Sequence, residues 1–275
     1  MPKSNNKKVV VFDLDETLGS FGEFGLFCNL LDSFYNNKNK SYSIFNPLLD
    51  LYPEFIRPTI YNVLKYLIKK KKEHKCEAVM IYTNNNGERS WAEHIKSYFE
   101  YKCNSPIFEQ IIAAFKINGE IIEVNRTTYD KTVDDFFRCT KLPKDTEICF
   151  IDDLFHPKME EDNVYYIHVK PYKYSLSSNI LIERFLFSNL SNDIPNKEQF
   201  TDFMKKNLPS NISNKSNDEQ EIDTIVSKKM LEHIKEFFSN HFQSIDSYPI
   251  TYDKLTFTKK HKKFKSKTLK KNKRI

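Results

Sequence analysis

The sequence has few of the features that assign a chain to a secreted, disulfide-bonded or membrane class. Its five cysteines are odd in number, widely spaced and without a CxxC pair, which indicates reduced thiols rather than disulfide bonds or a zinc site. No apolar run approaches the roughly 20 residues that a bilayer-spanning helix needs. The first residues, MPKSNNKK, lead directly into an apolar stretch and leave no room for a signal peptide. We therefore expect a cytoplasmic or nuclear protein with no membrane partner.

Acidic residues are absent from the last part of the chain. Lys254–Ile275 contains ten lysines, one arginine and no acidic residue, which gives this segment a charge of +11. Since the whole chain carries +6, the preceding 253 residues carry −5. The sequence therefore predicts a mildly acidic body and a basic tail that is disordered in isolation. Such a tail is typical of a solubilising or nuclear-targeting segment, or of an anchor for nucleic acid or an acidic protein partner.

Short apolar stretches alternate along the chain with segments of helical periodicity. One helix is predicted to start with Pro58 in its first turn and to end in Lys69–Lys72. Another opens at a capping box of Ser90 and Glu93, and a third begins near Lys131. This alternation predicts an α/β fold with a doubly wound parallel sheet. The predicted strands are Val9–Phe12, Ala78–Tyr82, Glu147–Ile151 and Tyr165–Val169.

Two segments depart from this alternation. Residues 19–25, GSFGEFG, hold three of the five glycines, and this concentration predicts a tight turn and a flap over a site. Ile111–Val124 contains two apolar stretches that flank Asn118 and Gly119, a pair that favours a type I′ turn. We interpret it as a small β-hairpin insertion that faces the substrate.

The composition divides the chain into four parts. Residues 1–187 form one α/β unit, and residues 188–220 read as a polar linker because they have little apolar content. Residues 221–243 have the apolar stripe of an amphipathic helix, which favours packing on the protein's own core, with partner binding as the alternative. Residues 244–275 belong to the flexible C-terminal extension.

Two carboxylates follow the first predicted strand. Asp13 and Asp15 are two residues apart, and in an extended backbone such residues point to the same side. They also lie at the carboxyl end of the strand, where open α/β sheets bind ligands. Adjacent carboxylates repel unless they share a cation or a proton. Mg²⁺ and a phosphate ester would supply the missing partner.

The pattern Asp13, Asp15 and Thr17 after an apolar strand resembles motif I of phosphatases of the haloacid dehalogenase (HAD) superfamily. This resemblance implies a Rossmann-like HAD fold, with residues 1–187 as the phosphatase domain. It also implies that Asp13 attacks phosphorus to form an aspartyl-phosphate and that Asp15 is the general acid and base. Thr17 would belong to the substrate-binding residues.

Later segments resemble the remaining HAD motifs in the same order. Thr83, at the end of the second strand, resembles motif II, whose hydroxyl holds a phosphoryl oxygen, and Asn84 would supply a further donor. Lys131 resembles the motif III lysine, which offsets charge on the nucleophile. Asp152 and Asp153 resemble motif IV, so that Asp13, Asp15, Asp152 and Asp153 would be the carboxylates of a Mg²⁺ site.

Further residues resemble the FCP/SCP branch, the NLI-interacting-factor-like phosphatases of the RNA polymerase II C-terminal domain. The segment NRTTYDK, residues 125–131, has the spacing of Arg126 and Lys131 seen there, and Arg57 with Pro58 matches its Arg-Pro-Gly. The resemblance implies that Arg126 contacts the substrate phosphate or its peptide. It also implies a phosphoserine or phosphothreonine protein or peptide as the substrate.

Two alternatives remain open from the sequence. One is a HAD phosphatase that acts on a nucleotide, a sugar phosphate or a nucleic-acid end. The other is a binding module that keeps the fold without turnover. The presence of Asp13, Asp15, Thr83, Lys131 and Asp152 together argues for an enzyme, because a decayed site is expected to lose at least one of them.

Overall fold

The structure is a computed structural model that describes residues 7–209 and 215–239. Its centre is a parallel sheet of five strands, and two further short strands pair antiparallel. The strands are β1 (Lys8–Phe12), β2 (Ala78–Tyr82), β3 (Phe108–Ile112), β4 (Lys116–Ile117), β5 (Glu120–Ile121), β6 (Glu147–Asp152) and β7 (Val164–His168). The order in the sheet is β3-β2-β1-β6-β7.

Helices cover both faces of the sheet. They are α1 (Gly22–Phe34), α2 (Lys40–Ser43), α3 (Phe45–Asp50), α4 (Ile60–Lys72), α5 (Arg89–Cys103), α6 (Val133–Thr140), α7 (Ser178–Phe187), α8 (Lys197–Asn207) and α9 (Asn217–Phe238). Val10 and Phe12 of β1 point into a large core that most of these helices build. Val9 and Val11 point into a smaller core under α6. The predicted α/β class with a doubly wound parallel sheet is confirmed.

The edge strand β3 is missing from the sequence predictions. It reads FEQII, and only Phe108, Ile111 and Ile112 are buried, because an edge strand keeps polar side chains toward solvent. The carboxylate of Glu109 accepts a hydrogen bond of 2.7 Å from the backbone N–H of Val79 in β2. A polar side chain thus completes the ladder where the register between β2 and β3 shifts.

The predicted hairpin insertion is present, but it is shorter than expected. Only β4 and β5 pair, with Lys116 opposite Ile121 and Ile117 opposite Glu120. The φ angles of Asn118 and Gly119 are 51° and 87°, and both are positive, as a type I′ turn requires. The chain before it joins the main sheet as β3 and so cannot extend the hairpin.

The glycine-rich segment does not form the predicted flap. Gly22 and Gly25 lie in α1, because apolar residues spaced three and four apart bury one face of this helix. A side chain at Gly25 would meet the ring of Trp91. Only Gly19 lies in a turn, where a Cβ would collide with the carbonyl oxygen of Phe55.

Two predicted helix starts are wrong by one or two residues. α5 begins at Arg89, so Ser90 lies inside the helix and donates to the Glu88 carboxylate at 3.3 Å instead of capping. Pro58 lies before the first turn of α4, and the residue that follows, Thr59, has a left-handed φ of 60°. The four lysines Lys69–Lys72 do occupy the last turn of α4, as predicted.

The predicted polar linker is wrong for most of its described residues. α8 lies within residues 188–220, and its Phe200 and Met204 are fully buried in the large core together with Leu208. Three apolar residues four apart are enough to fix one helix face, even where the average composition is polar. The next helix, α9, packs on the protein's own core through Val226 and Ile234, as expected.

The predicted basic extension, 244–275, lies outside the described residues. Within the described ranges, none of the helices is both long enough and apolar enough to cross a lipid bilayer.

Candidate functional site

The carboxyl ends of β1, β2 and β6 lie side by side at one edge of the sheet. β1 pairs with both of the other strands. Asp13 directly follows β1, Thr83 follows β2, and Asp152 ends β6 with Asp153 next to it. This is the position at which open parallel sheets bind ligands. The topology therefore gathers residues from three separate sequence motifs.

Three carboxylates form a buried acidic cluster, Asp13, Asp152 and Asp153. One oxygen from each lies within 4.8 Å of the others. Their exposed fractions are 8%, 0% and 6%. Carboxylates this close repel one another unless cations or protons lie among them. This arrangement is therefore stable only with positive charge nearby.

Lys131 supplies part of that charge. Its Nζ lies 2.5 Å from Asp13 Oδ1 and 2.6 Å from Asp152 Oδ2, and the side chain is 2% exposed. Burial lowers the pKa of the Lys131 ammonium, but the two carboxylates outweigh burial and raise that pKa above its usual value. Lys131 is therefore a fixed cation between the nucleophile predicted from the sequence and the end of β6.

The three carboxylates differ in their affinity for protons. Burial, opposed by Lys131 and assisted by Asp152, raises the pKa of Asp13 to about 8. Burial and then Asp152 raise the pKa of Asp153 to about 6. For Asp152, burial is outweighed by Lys131 and by His156, which lower the pKa of its carboxyl group. Asp152 is thus the carboxylate that stays ionised most readily.

The charge balance of the acidic cluster fits a divalent cation. If all three carboxylates are ionised, they face only one ammonium group, and negative charge then remains in a buried space. Among the described residues, no hydrogen bond reaches Asp13 Oδ2. Carboxylate oxygens without donors are ligands for a hard metal ion. The acidic cluster can therefore hold a metal ion.

The side chain of Asp15 does not join the acidic cluster, contrary to the predicted set of four metal carboxylates. The strand ends at Phe12 and the chain bends at Leu14, so the two-residue alternation that the prediction assumed is broken. Asp15 Oδ2 instead accepts a hydrogen bond of 2.6 Å from Asn85 Nδ2. Burial raises the pKa of Asp15, while this hydrogen bond opposes the shift.

Thr17 supports the acidic cluster rather than a substrate. It is fully buried, and its Oγ1 donates to Asp153 Oδ1 at 3.1 Å. Arg57, which is 1% exposed, donates from Nε to the carbonyl oxygen of Thr17 at 2.5 Å and from Nη2 to that of Lys170 at 2.8 Å. These bonds tie the loop after β1 to the segment after β7. The predicted substrate contact of Thr17 is not supported by this geometry.

The segment after β2 contributes two polar residues at different depths. Thr83 is 3% exposed, and its Oγ1 accepts a hydrogen bond of 3.0 Å from the backbone N–H of Asn85. Asn84 is exposed. The structure thus places Thr83 at the edge that carries the acidic cluster, as its predicted role requires, and leaves Asn84 open to solvent.

Arg126 is a buried residue whose partners are backbone carbonyl groups. It is 2% exposed, and its Nη1 donates to the carbonyl oxygens of Thr83 and Ala113 at 3.3 and 2.8 Å. Its Nη2 donates to those of Tyr129 and Asp130 at 3.0 and 3.1 Å. Its buried Nε has no hydrogen-bond partner among the described residues. Arg126 thus joins the segment that carries Lys131 to the end of β2, and the substrate contact implied by the resemblance stays a prediction.

Two residues at the site have no counterpart among the predicted site residues. Asn85 bonds to Asp15, and His156 Nε2 lies 3.3 Å from Asp152 Oδ2, with its ring packed edge-on against Phe150. The only sequence feature that could have pointed to Asn85 is its position two residues after Thr83. No sequence feature singles out His156, because a histidine four residues after a carboxylate is common by chance.

No protein-family model, curated protein or solved structure matches this chain. Its chemistry has to be argued from the site itself. The geometry offers Asp13 with Oδ1 held by Lys131, a second carboxylate, Asp15, outside the acidic cluster, and a cluster of carboxylates that can hold a cation.

Proposed function

We propose that this chain is a HAD-type phosphatase that hydrolyses phosphate monoesters through an aspartyl-phosphate on Asp13. The observation that carries the proposal is the buried acidic cluster around Lys131 at the carboxyl edge of a parallel sheet. Phosphoryl transfer through a carboxylate needs a nucleophile, a proton donor and fixed positive charge. The order of the motifs along the chain, with its resemblance to HAD phosphatases, supports the same reading.

Asp13 is the nucleophile in this proposal. Lys131 holds Asp13 Oδ1, which leaves Oδ2 to attack phosphorus. The bond between Asp13 and phosphorus forms as the ester P–O bond breaks. Water then attacks phosphorus, the bond to Asp13 breaks, and inorganic phosphate leaves with the Asp13 carboxylate restored. Lys131 stays in contact with the reacting carboxylate and offsets the negative charge of the phosphoryl group.

Asp15 moves the proton in both half-reactions. In the first it gives its proton to the ester oxygen that leaves, and in the second it takes a proton from the attacking water. Burial raises the pKa of Asp15, which favours the protonated form that the first half-reaction needs. Its position outside the acidic cluster keeps it free for this task.

Mg²⁺ is the metal that we propose for the acidic cluster. The cluster offers only carboxylate oxygens, and Mg²⁺ prefers such hard ligands, whereas sulfur and imidazole ligands favour other metals. Asp13, Asp152 and Asp153 would supply its protein ligands. When bound, the ion would neutralise charge on the phosphoryl oxygens.

We propose phosphoserine or phosphothreonine in a protein as the substrate. Three exposed apolar side chains follow or precede site residues in the chain, namely Tyr129, Leu154 and Phe155. Exposed apolar surface of this kind favours a macromolecular substrate over a small sugar or nucleotide. The resemblance to FCP/SCP phosphatases points to the same class.

The experiment that tests this function is a substrate profile. Purified protein should release inorganic phosphate from phosphoserine and phosphothreonine peptides faster than from sugar phosphates or nucleotides, and only with Mg²⁺. Chelation should stop the reaction, and beryllium fluoride should inhibit it as a phosphate mimic. A preference for nucleotides or sugar phosphates would support the phosphatase mechanism but contradict the proposed phosphoprotein substrate. Absence of hydrolysis with every ester would contradict the proposed phosphatase activity itself.

A further inference from the structure

Asn85 has an amide group whose orientation is fixed at both ends. Its Oδ1 accepts a hydrogen bond of 2.7 Å from the backbone N–H of Gly87, and its Nδ2 donates to Asp15 Oδ2 at 2.6 Å. A backbone N–H can only donate, so the atom that faces Gly87 must be the amide oxygen. The atom that faces Asp15 is therefore the NH₂ group.

The surroundings of Asn85 keep this amide in place. Its backbone N–H donates to Thr83 Oγ1 at 3.0 Å, so the residue is also held through its main chain. A Cβ at Gly87 would lie 2.8 Å from Asn85 Oδ1, so glycine at this position leaves room for the close contact. The loop after β2 is thus shaped to present one N–H donor to Asp15.

An N–H donor at Asp15 Oδ2 decides which oxygen of Asp15 can carry a proton. A proton on Oδ2 would compete with the Asn85 donor for the same space, whereas a proton on Oδ1 leaves the hydrogen bond intact. Oδ1 is then the oxygen from which a proton can pass to a leaving group. A carboxyl group free to rotate would present that proton only part of the time.

We infer that Asn85 is a positioning residue that fixes the Asp15 carboxyl group with Oδ1 as its proton-carrying oxygen. This inference rests on the proposed function, because it assigns Asn85 to the proton transfer of the phosphatase reaction. Asn85 does not contact the phosphoryl group in this account. It acts only through Asp15, so its effect depends on how much protonation the leaving group requires.

The test compares two substrates in Asn85→Asp. This variant keeps the shape and the oxygen that accepts from Gly87, but it replaces the NH₂ group by a carboxylate oxygen, which repels the Asp15 carboxylate or shares its proton. We expect kcat for a phosphoserine peptide, a poor leaving group, to fall by about 100-fold, within the range of general acid catalysis. For p-nitrophenyl phosphate, a good leaving group, we expect a loss of less than about fivefold. Equal losses on both substrates would overturn the inference.

Further variants separate positioning from folding. Gly87→Ala leaves Asn85 present but presses on its amide oxygen, and it should show the same substrate dependence with a smaller loss. Asn86→Ala changes an exposed neighbour in the same loop and should match the wild type on both substrates. Adding Asn85→Asp to Asp15→Asn should cause no further loss with the peptide, because both changes remove one function. A fully additive loss would contradict the inference.

A second measurement does not depend on turnover. The side-chain amide signal of Asn85 in a ¹⁵N NMR spectrum, assigned with Asn85→Ala, should shift in Asp15→Asn and remain in place in Asn86→Ala. An unchanged signal in Asp15→Asn would overturn the contact itself. If the contact is present but the wild type hydrolyses no ester, the proposed function fails and the catalytic role of Asn85 fails with it.

Discussion

The two oxygens of Asp13 have different surroundings, and this difference defines its predicted role. Lys131 holds Oδ1, and no hydrogen bond from the described residues reaches Oδ2. Asp13→Asn keeps the size of the side chain but removes the attacking charge, so we expect hydrolysis to stop while the fold remains. Steady-state assays with circular dichroism measure both properties. Asp134→Asn, on the exposed side of α6, is the matched control, and activity of Asp13→Asn near the wild-type level would reject the aspartyl-phosphate.

Asp15 is predicted to matter most for substrates with poor leaving groups. Asp15→Asn cannot donate a proton, so kcat for a phosphoserine peptide should fall by about 10² to 10⁴-fold, and that for an activated aryl phosphate much less. Rates for a series of aryl phosphates of increasing leaving-group pKa measure this dependence. A uniform loss across the series would assign Asp15 to positioning or metal binding.

Asp153 is predicted to limit stability when no metal is bound. Its pKa is raised to about 6, mainly by burial and then by Asp152, against about 3.9 in an unfolded chain. Its ionisation therefore destabilises the folded protein progressively as the pH rises from about 4 to 6. Asp153→Asn cannot ionise, so it should raise the free energy of unfolding in EDTA by about 1 to 2 kcal/mol above pH 6, allowing for solvent screening.

Urea unfolding at about pH 4 and about pH 8 measures this effect. At the lower pH the wild type and Asp153→Asn should have nearly equal stability, because the carboxyl group is protonated in the folded chain and about half protonated in the unfolded chain. Mg²⁺ should stabilise the wild type at the higher pH and have less effect on the variant. If the variant is less stable than the wild type at both pH values, ionised Asp153 does not destabilise the folded protein as predicted.

The sequence identified most of the site residues because their position follows from one rule. Asp13, Thr83 and Asp152 end parallel strands, and parallel strands end at one edge. The roles of Arg126 and Asp15 could not be read in the same way. They depend on where loop carbonyl groups lie and where a strand stops, and neither property follows from residue spacing.

α8 is predicted to be part of the cooperative fold. Phe200 is fully buried, and its ring contacts Phe34 of α1 and Phe185 of α7 at centroid distances of 5.0 and 5.4 Å. Phe200→Ala leaves a cavity in the large core and should lower the free energy of unfolding by about 3 to 5 kcal/mol. Chemical denaturation measures the change, and Gln199→Ala on the exposed side of the helix is the control. A loss under about 1 kcal/mol would indicate that this segment behaves as a linker and not as part of the cooperative fold.

Elements with strong periodicity were predicted well, and elements with mixed composition were not. β1 and β2 are uninterrupted apolar stretches because both of their faces are buried. β3 has Glu109 and Gln110 in its centre, which an edge strand tolerates and a sequence pattern does not reveal. α8 has a polar average, and its few apolar residues become significant only when α1 and α7 are placed beside it.

The chain leaves the described body on the side opposite the site. Lys8 begins β1, and its Nζ donates to the carbonyl oxygen of Phe237 near the end of α9 at 2.7 Å. Asp13 follows the other end of β1. The end of α9 and the acidic cluster therefore lie at opposite edges of the sheet.

This arrangement predicts that the basic segment Lys254–Ile275 is dispensable for chemistry. Its deletion should leave kcat for p-nitrophenyl phosphate nearly unchanged and should abolish salt-sensitive binding to DNA or RNA. Contact with about five phosphates would give a log-log salt slope of roughly −4 to −5 in the full chain. Fluorescence anisotropy at several salt concentrations measures this slope. If the deletion variant loses activity on p-nitrophenyl phosphate, the segment contributes to the fold. If the full-length protein does not bind DNA or RNA at low salt, the segment is not a nucleic-acid anchor.

Trp91 is the only tryptophan in the chain, and it lies where the two loops of the site meet their helices. Its ring faces Gly25 in α1, the helix that follows the Asp15 loop, and its Cβ lies beside Gly87 in the Asn85 loop. It is 8% exposed and packs against Phe24 and Phe45. The tryptophan emission of the native chain therefore comes from one indole at this junction. Stopped-flow emission can follow movements of the two loops without an added dye.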